Sequence, residues 1–413
     1  MQVLKSISNC CFPRRRAEDI EVSRHCVPLD GVRGLAILLV LCYDCLKLPN
    51  SNPLFTVIRK VTASGWMGVD LFFVLSGFLI TGILLDTAGQ RGYWKSFILR
   101  RSVRIFPLYY ATLLAVFVLT PLFSSGIIPR ELIHDQVWYW LYGQNWLFTL
   151  RGDWPEARIL NHFWSLAVEE QFYLVWPLVV AALSRSNLKR LCWLLCASAL
   201  GLRFWLLTHG TPGVCTYVMT ITRMDSLCAG ALVALAVRNP DWINRWSRWM
   251  LPAFIATSVL LVGTDVVWPV LESQSFAAYS LGHSLIALCF ASLVATMFLL
   301  PSQHPLSRLL SLKPLLVLGK YSYAIYVFHR FVHAAVLKVN WSFVPENYRG
   351  IIIFAATLLG SLAVAQVSWI ALEKPFLQLK RYFPRPDETH EEQVEVLKPE
   401  TPQPQRAEVV SVT

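Results

Sequence analysis

Ionisable side chains inside long apolar runs are costly, so each one is a candidate for chemistry. This sequence places several there, among them Asp44, His162, Glu169, Glu170, Arg223 and His329. Arg33, Arg100, Arg101 and Arg104 form a second, basic group. Carboxylates and imidazoles together suit proton transfer to and from a hydroxyl. Clustered guanidinium groups suit a phosphorylated ligand, which they grip through paired hydrogen bonds. For any single residue, an ion pair that merely ties helices together carries comparable weight. The ten cysteines are dispersed, with no repeated CxxC at zinc-ligand spacing, so no metal site is expected.

The elements that hold these residues are apolar helices. The 413 residues are 55% hydrophobic and 15% charged, with a mean hydropathy of +0.48. A soluble chain carries about 25% charged residues. The composition excludes a disordered chain, and one span of ~20 residues could not shift the average so far. Ten stretches have near-membrane length: 31–48, 66–85, 104–123, 163–183, 188–208, 215–237, 250–270, 277–300, 314–337 and 350–372. The expectation is an all-α polytopic membrane protein of about ten transmembrane helices. Glu169 and Glu170 weaken the fourth stretch, and Val137 to Phe148, rich in Trp and Tyr, reads as an interfacial or re-entrant piece. Residues 1–27 read as a cytoplasmic tail without a cleavable signal peptide, 28–376 as the membrane domain, and 377–413 as a cytoplasmic tail. The part from Pro384 is expected to be disordered.

Net charge is +11. In a soluble protein that would suggest nucleic acid, but here it follows topology, and no nucleic-acid partner is expected. With the N-terminus inside, 24 of the 37 Lys and Arg fall in cytoplasmic tails and loops and eight in outer loops. The bias holds loop after loop, which places both termini in the cytoplasm of a plasma (inner) membrane protein. The run Arg14–Arg16 then reads as contact with anionic lipid of the bilayer. Depth follows from position. Asp44, Asp70, His162, Glu169, Glu170, Arg223, Asp225, His283 and His329 are expected in the outer half. Arg33, Arg100, Arg101, Arg104, Lys320, Tyr321, Ser322 and Glu373 are expected near the inner face. Cys45 and Cys215 both fall near the outer face, where pairing is open. The sequence does not bear on oligomeric state.

Six blocks in order resemble the membrane-bound acyltransferase-3 family. They are LDGVRGLAILLVLCYD from Leu29, GVDLFFVLSGFLIT from Gly68, RRSVRIFPLYY from Arg100, HFWSLAVEEQFYLVWP from His162, RMDSLCAG from Arg223 and LGKYSYAIYVFH from Leu318. LEKPF closes the last stretch. The resemblance implies transfer of an acyl group, usually acetyl, from cytoplasmic acyl-CoA to a hydroxyl of an envelope or exported glycan or glycolipid. It implies no permanently bound cofactor. Arg33, Arg100, Arg101 and Arg104 would hold the acyl-CoA, and Asp44, His162, Glu170, Arg223 and His329 would form the catalytic end.

One position departs from the family. Its first span carries an Arg followed, after ten residues, by a catalytic His. Arg33 matches the Arg, but the eleventh residue onward is Asp44. Three readings stay open. Asp44 acts as the base, an apolar site raising its proton affinity. His162 or His329 takes over. Or the chemistry is lost and the chain binds a glycan or partner. A transporter, the rival from another class, would need inverted repeats and broken helices that the sequence does not display. Ser76-Gly77 reads as a tight helix contact rather than a nucleophile. Of the adjacent acids, about 100° apart on a helix, Glu170 is expected to face the site.

Overall fold

A computed structural model describes residues 26–49, 52–123, 129–156 and 158–383. The Arg14–Arg16 run and the tail from Pro384 lie outside the described residues. Those described form helices and no strands. The main helices are α1 Val27–Cys45, α2 Gly68–Thr87, α3 Tyr93–Leu114, α4 Trp164–Ala182, α5 Arg185–Thr208, α6 Met224–Ala236, α7 Met250–Val267, α8 His283–Leu299, α9 Lys313–Leu337 and α10 Glu346–Ser368. Each overlaps one apolar stretch of the sequence. Between α3 and α4 the described residues form short helices, such as Gln136–Trp140 and Gln144–Arg151.

Six helical stretches are long and apolar enough to cross a membrane: Pro53–Thr87, Tyr93–Leu122, Arg185–Thr208, Pro240–Val267, Ala278–Leu299 and Glu346–Tyr382. The chain is thus an all-helical, polytopic membrane protein. Of the remaining main helices, α1, α4 and α9 carry interior charges such as Arg33, Glu169, Glu170 and Arg330, and α6 has only 13 residues. The stretches containing α2 and α8 are each 72% buried, against 6% for the one ending in α7 and 17% for those of α5 and α10. So α2 and α8 are central, and α5, α7 and α10 present apolar side chains outward. Val259, Val262, Val266, Leu359 and Val367 are all exposed. Apolar faces outward and polar residues inward is the arrangement that lipid favours.

Small residues set the central contacts. A Cβ on Gly77 would lie 1.9 Å from the Leu227 carbonyl oxygen, and one on Gly230 would lie 2.0 Å from that of Val74. Helices α2 and α6 therefore touch backbone to backbone, as expected for Gly77. Between α1 and α9, a Cβ on Gly319 would lie 2.0 Å from the Asp30 oxygen and 3.3 Å from the Gly34 nitrogen. That crossing places the site. Ten residues beyond Gly34 stands Asp44, and ten beyond Gly319 stands His329. At 1.5 Å per residue both lie about 15 Å from the crossing. Cys45 and Cys215 are free thiols.

Candidate active site

At one end of α1 both oxygens of the Asp44 carboxylate are hydrogen-bonded. Its Oδ2 is 2.9 Å from His329 Nε2 and accepts from Arg330 Nε at 3.2 Å. Its Oδ1 accepts from Arg330 Nη2 at 2.9 Å. His329 Nδ1 lies 2.8 Å from the Tyr326 carbonyl oxygen, which can only accept. Both ring nitrogens of His329 thus face oxygen atoms, one a carbonyl and one the Asp44 carboxylate. Both oxygens of Asp44 are thus already hydrogen-bonded, to His329 and to Arg330.

His162 differs. It is 4% exposed, in the tight turn Arg158–Phe163 that leads into α4. Its Nε2 is 3.3 Å from the Val327 carbonyl oxygen. A carbonyl accepts only, so Nε2 carries the proton and Nδ1 holds the lone pair. That Nδ1 is buried without a hydrogen-bond partner. The ring stands 5.0 Å from that of His329. Tyr326 braces the turn: its hydroxyl donates to the His162 carbonyl at 2.9 Å and lies 2.6 Å from Ser165 Oγ.

Asp44, His162 and Arg330 line a chamber of 560 Å³ with Trp66, Trp154, Trp164 and Tyr217. Such a volume falls within the range of small-molecule sites. A smaller cavity of 90 Å³ lies toward the other end of α1, lined by Arg33, Arg101, Arg104, Ser76, Glu169, Glu170 and Tyr173. Arg33 and Asp44 are eleven residues apart on one helix, hence about 16 Å along its axis. Arg101 lies over the Tyr173 ring at 5.5 Å.

The structure corrects several sequence-based expectations. Glu169 and Glu170 line the arginine cavity, not the Asp44 chamber, and both acids face it. Glu169 Oε1 accepts from Ser76 Oγ at 2.5 Å, whereas Glu170 Oε1 is buried without a partner. Both fit because one face of α4, carrying Ser165, Leu166, Glu169, Glu170 and Tyr173, lines the cavity. Arg223 is not part of the Asp44 cluster either. It is wholly buried and pairs with Asp70 at 2.6 Å, ringed by Phe73, Trp164 and Tyr217. Asp225 pairs with Arg203 of α5 at 2.7 Å. The two residues bind different helices because they sit two apart in sequence. Arg100 points away from the cavity, its Nη1 donating to the Phe383 carbonyl at 3.1 Å. Sequence reasoning missed Arg330, although an arginine next to His329 within an apolar stretch was the available signal. It also missed Tyr326, which nothing in the sequence distinguishes from a packing residue.

The family described as an acyltransferase domain matches residues 28–367. The chain therefore belongs to the acyltransferase-3 family. It is 30% identical over 372 residues to the peptidoglycan O-acetyltransferase OatA of Listeria monocytogenes, covering 86% of this chain and 56% of that protein. It is 27% identical over 390 residues to the O-acetyltransferase OatA of Staphylococcus aureus, covering 87% of this chain and 58% of that protein. The chain thus spans somewhat over half the length of these relatives. No solved structure matches it.

Proposed function

We propose that this protein moves an acyl group, acetyl first of all, from cytoplasmic acyl-CoA to a hydroxyl of an envelope or exported glycan. In this reading ten helices cross the inner membrane, both termini are cytoplasmic, and the Arg33 end faces the cytoplasm. The observation that carries it is a single helix, α1, with a guanidinium-lined cavity at one end and an acid–imidazole chamber about 16 Å away. The names of the relatives support a glycan acceptor.

Arg33, Arg101 and Arg104 hold the phosphates of the donor, each by charge-assisted hydrogen bonds. The indoles of Trp66, Trp154 and Trp164 offer flat apolar faces to a sugar ring. His162 Nδ1, the unpaired lone pair, accepts the proton of the attacking hydroxyl. The hydroxyl oxygen bonds to the thioester carbonyl carbon, the C–S bond breaks, and the proton passes from His162 to the departing sulfur. Asp44 stands beside this site, hydrogen-bonded to His329, with Arg330 holding the acid in place. Glu170 and Arg223 act outside this step, one in the donor cavity and one in the packing behind the aromatic wall.

The fully paired Asp44 also favours a second reading, a silent member that binds glycan without transfer. One experiment separates them. The purified full chain in detergent is given acetyl-CoA labelled in the acetyl group and isolated envelope glycan, and the glycan is weighed by mass spectrometry. A labelled acetyl ester supports transfer. Glycan binding with no ester, across every glycan tried, overturns it.

A further inference from the structure

The two cavities share two lining residues, Val69 of α2 and Tyr326 of α9. Both are nearly buried, at 8% and 6% exposure. They stand on two different helices. Tyr326 is held there at its hydroxyl, by the His162 carbonyl and by Ser165 Oγ. Its ring is held by edge contacts with Phe72 at 6.3 Å and His162 at 5.3 Å. A donor anchored by Arg33, Arg101 and Arg104 and an acceptor seated beside His162 therefore lie on opposite sides of this pair. The donor side is the narrower, 90 Å³ against 560 Å³.

Resting on the transfer reading above, we propose that Val69 and Tyr326 form the aperture through which the acyl end of the donor reaches the acceptor, and that its width selects short acyl groups. No other residue lines both cavities. A longer acyl chain must displace the Val69 methyl groups or break the Tyr326 hydrogen bonds. An acetyl group, with one methyl, makes the smallest such demand. Tyr326 is a specificity-determining and positioning residue here, since the same hydroxyl steadies the backbone of His162.

The test measures acetyl, propionyl and butyryl transfer by the full-length protein in detergent, for the wild type and the variants Val69→Ala, Val69→Ile and Tyr326→Phe. One methylene in a close-fitting apolar site discriminates by about 10- to 200-fold. Val69→Ala is expected to raise the ratio of propionyl to acetyl transfer about tenfold or more, and Val69→Ile to lower it. Tyr326→Phe, which keeps the ring and its edge contacts but removes the hydroxyl's hydrogen bonds to His162 and Ser165, is expected to raise the same ratio. Ratios unchanged in the folded variants, with acetyl transfer by the wild type intact, overturn the aperture. No acetyl transfer by the wild type overturns the transfer reading itself, and the aperture with it. Because Val69→Ile keeps an apolar β-branched side chain, it remains informative should the Ala variant fail to fold.

Discussion

Replacing His162 by Gln separates the two candidates for the base. A positioned general base contributes about 10²–10⁴-fold, or about 3–5 kcal/mol of barrier. The amide of Gln can still donate to the Val327 carbonyl that His162 Nε2 now faces at 3.3 Å. The ring contacts with Phe163 at 4.8 Å, Tyr326 at 5.3 Å and His329 at 5.0 Å are lost. Such contacts are worth about 0.5–1.5 kcal/mol per pair, so the variant is expected to fold. What it lacks is the unpaired lone pair of Nδ1. The companion variant, Asp44→Asn, leaves Arg330 without its carboxylate. Breaking a buried pair costs about 3–5 kcal/mol. Arg330 is 27% exposed and Asp44 13%, so water recovers part of that, and about 1–3 kcal/mol of stability is the expected loss. Acetyl transfer to glycan is followed by label incorporation, and folding by thermal unfolding in detergent. The expected result is a loss of at least 10²-fold for His162→Gln, with Asp44→Asn keeping a tenth or more of wild-type activity. The opposite order, with His162→Gln near wild type and Asp44→Asn inactive, refutes His162 as the base and restores Asp44 to that role.

Two further outcomes test the packing and the donor cavity. Arg101→Ala should weaken coenzyme A binding about tenfold or more, the scale of one charge-assisted hydrogen bond, while Arg100→Ala, whose guanidinium bonds the Phe383 carbonyl, should leave it within twofold by calorimetry. Equal weakening by both would reject the assignment. Gly230→Ala, whose Cβ would stand 2.0 Å from the Val74 carbonyl oxygen, should lower stability by about 3 kcal/mol or more. Gly263→Ala, with open space around it, should not, and similar unfolding curves for the two would show that α2 and α6 do not touch as described.

Much of this protein was legible before any fold was known. Hydropathy located ten helical stretches because a span must be long and apolar wherever it sits. The motif blocks located Arg33, His162 and His329, and counting eleven residues from Arg33 exposed Asp44. Depth along a helix advances by about 1.5 Å per residue, which separates Arg33 from Asp44, but the outer depth expected for Glu169 and Glu170 did not keep them from the arginine cavity. Sequence also foresaw the Gly77 contact, because only small residues permit close helix approach.

What sequence could not supply is azimuth and neighbour. Glu169 and Glu170 join the arginines because α4 turns them toward α2 and α3, where Ser76 and Arg101 wait. Arg223 faces Asp70 rather than Asp44 because α6 lies against α2. Arg330 closes on Asp44 because α1 and α9 cross at Gly34 and Gly319. Residue types and spacing along one chain determined that this is a polytopic member of an acyltransferase family, with charges at two depths. Tertiary packing alone decided which charges meet, because each partner comes from a helix tens to hundreds of residues away, brought near by glycines that no local pattern pairs with one another. That is why Asp44, an acid in an apolar stretch eleven residues after Arg33, stood out in the sequence, while the free lone pair on His162 and the shared wall of Val69 and Tyr326 did not.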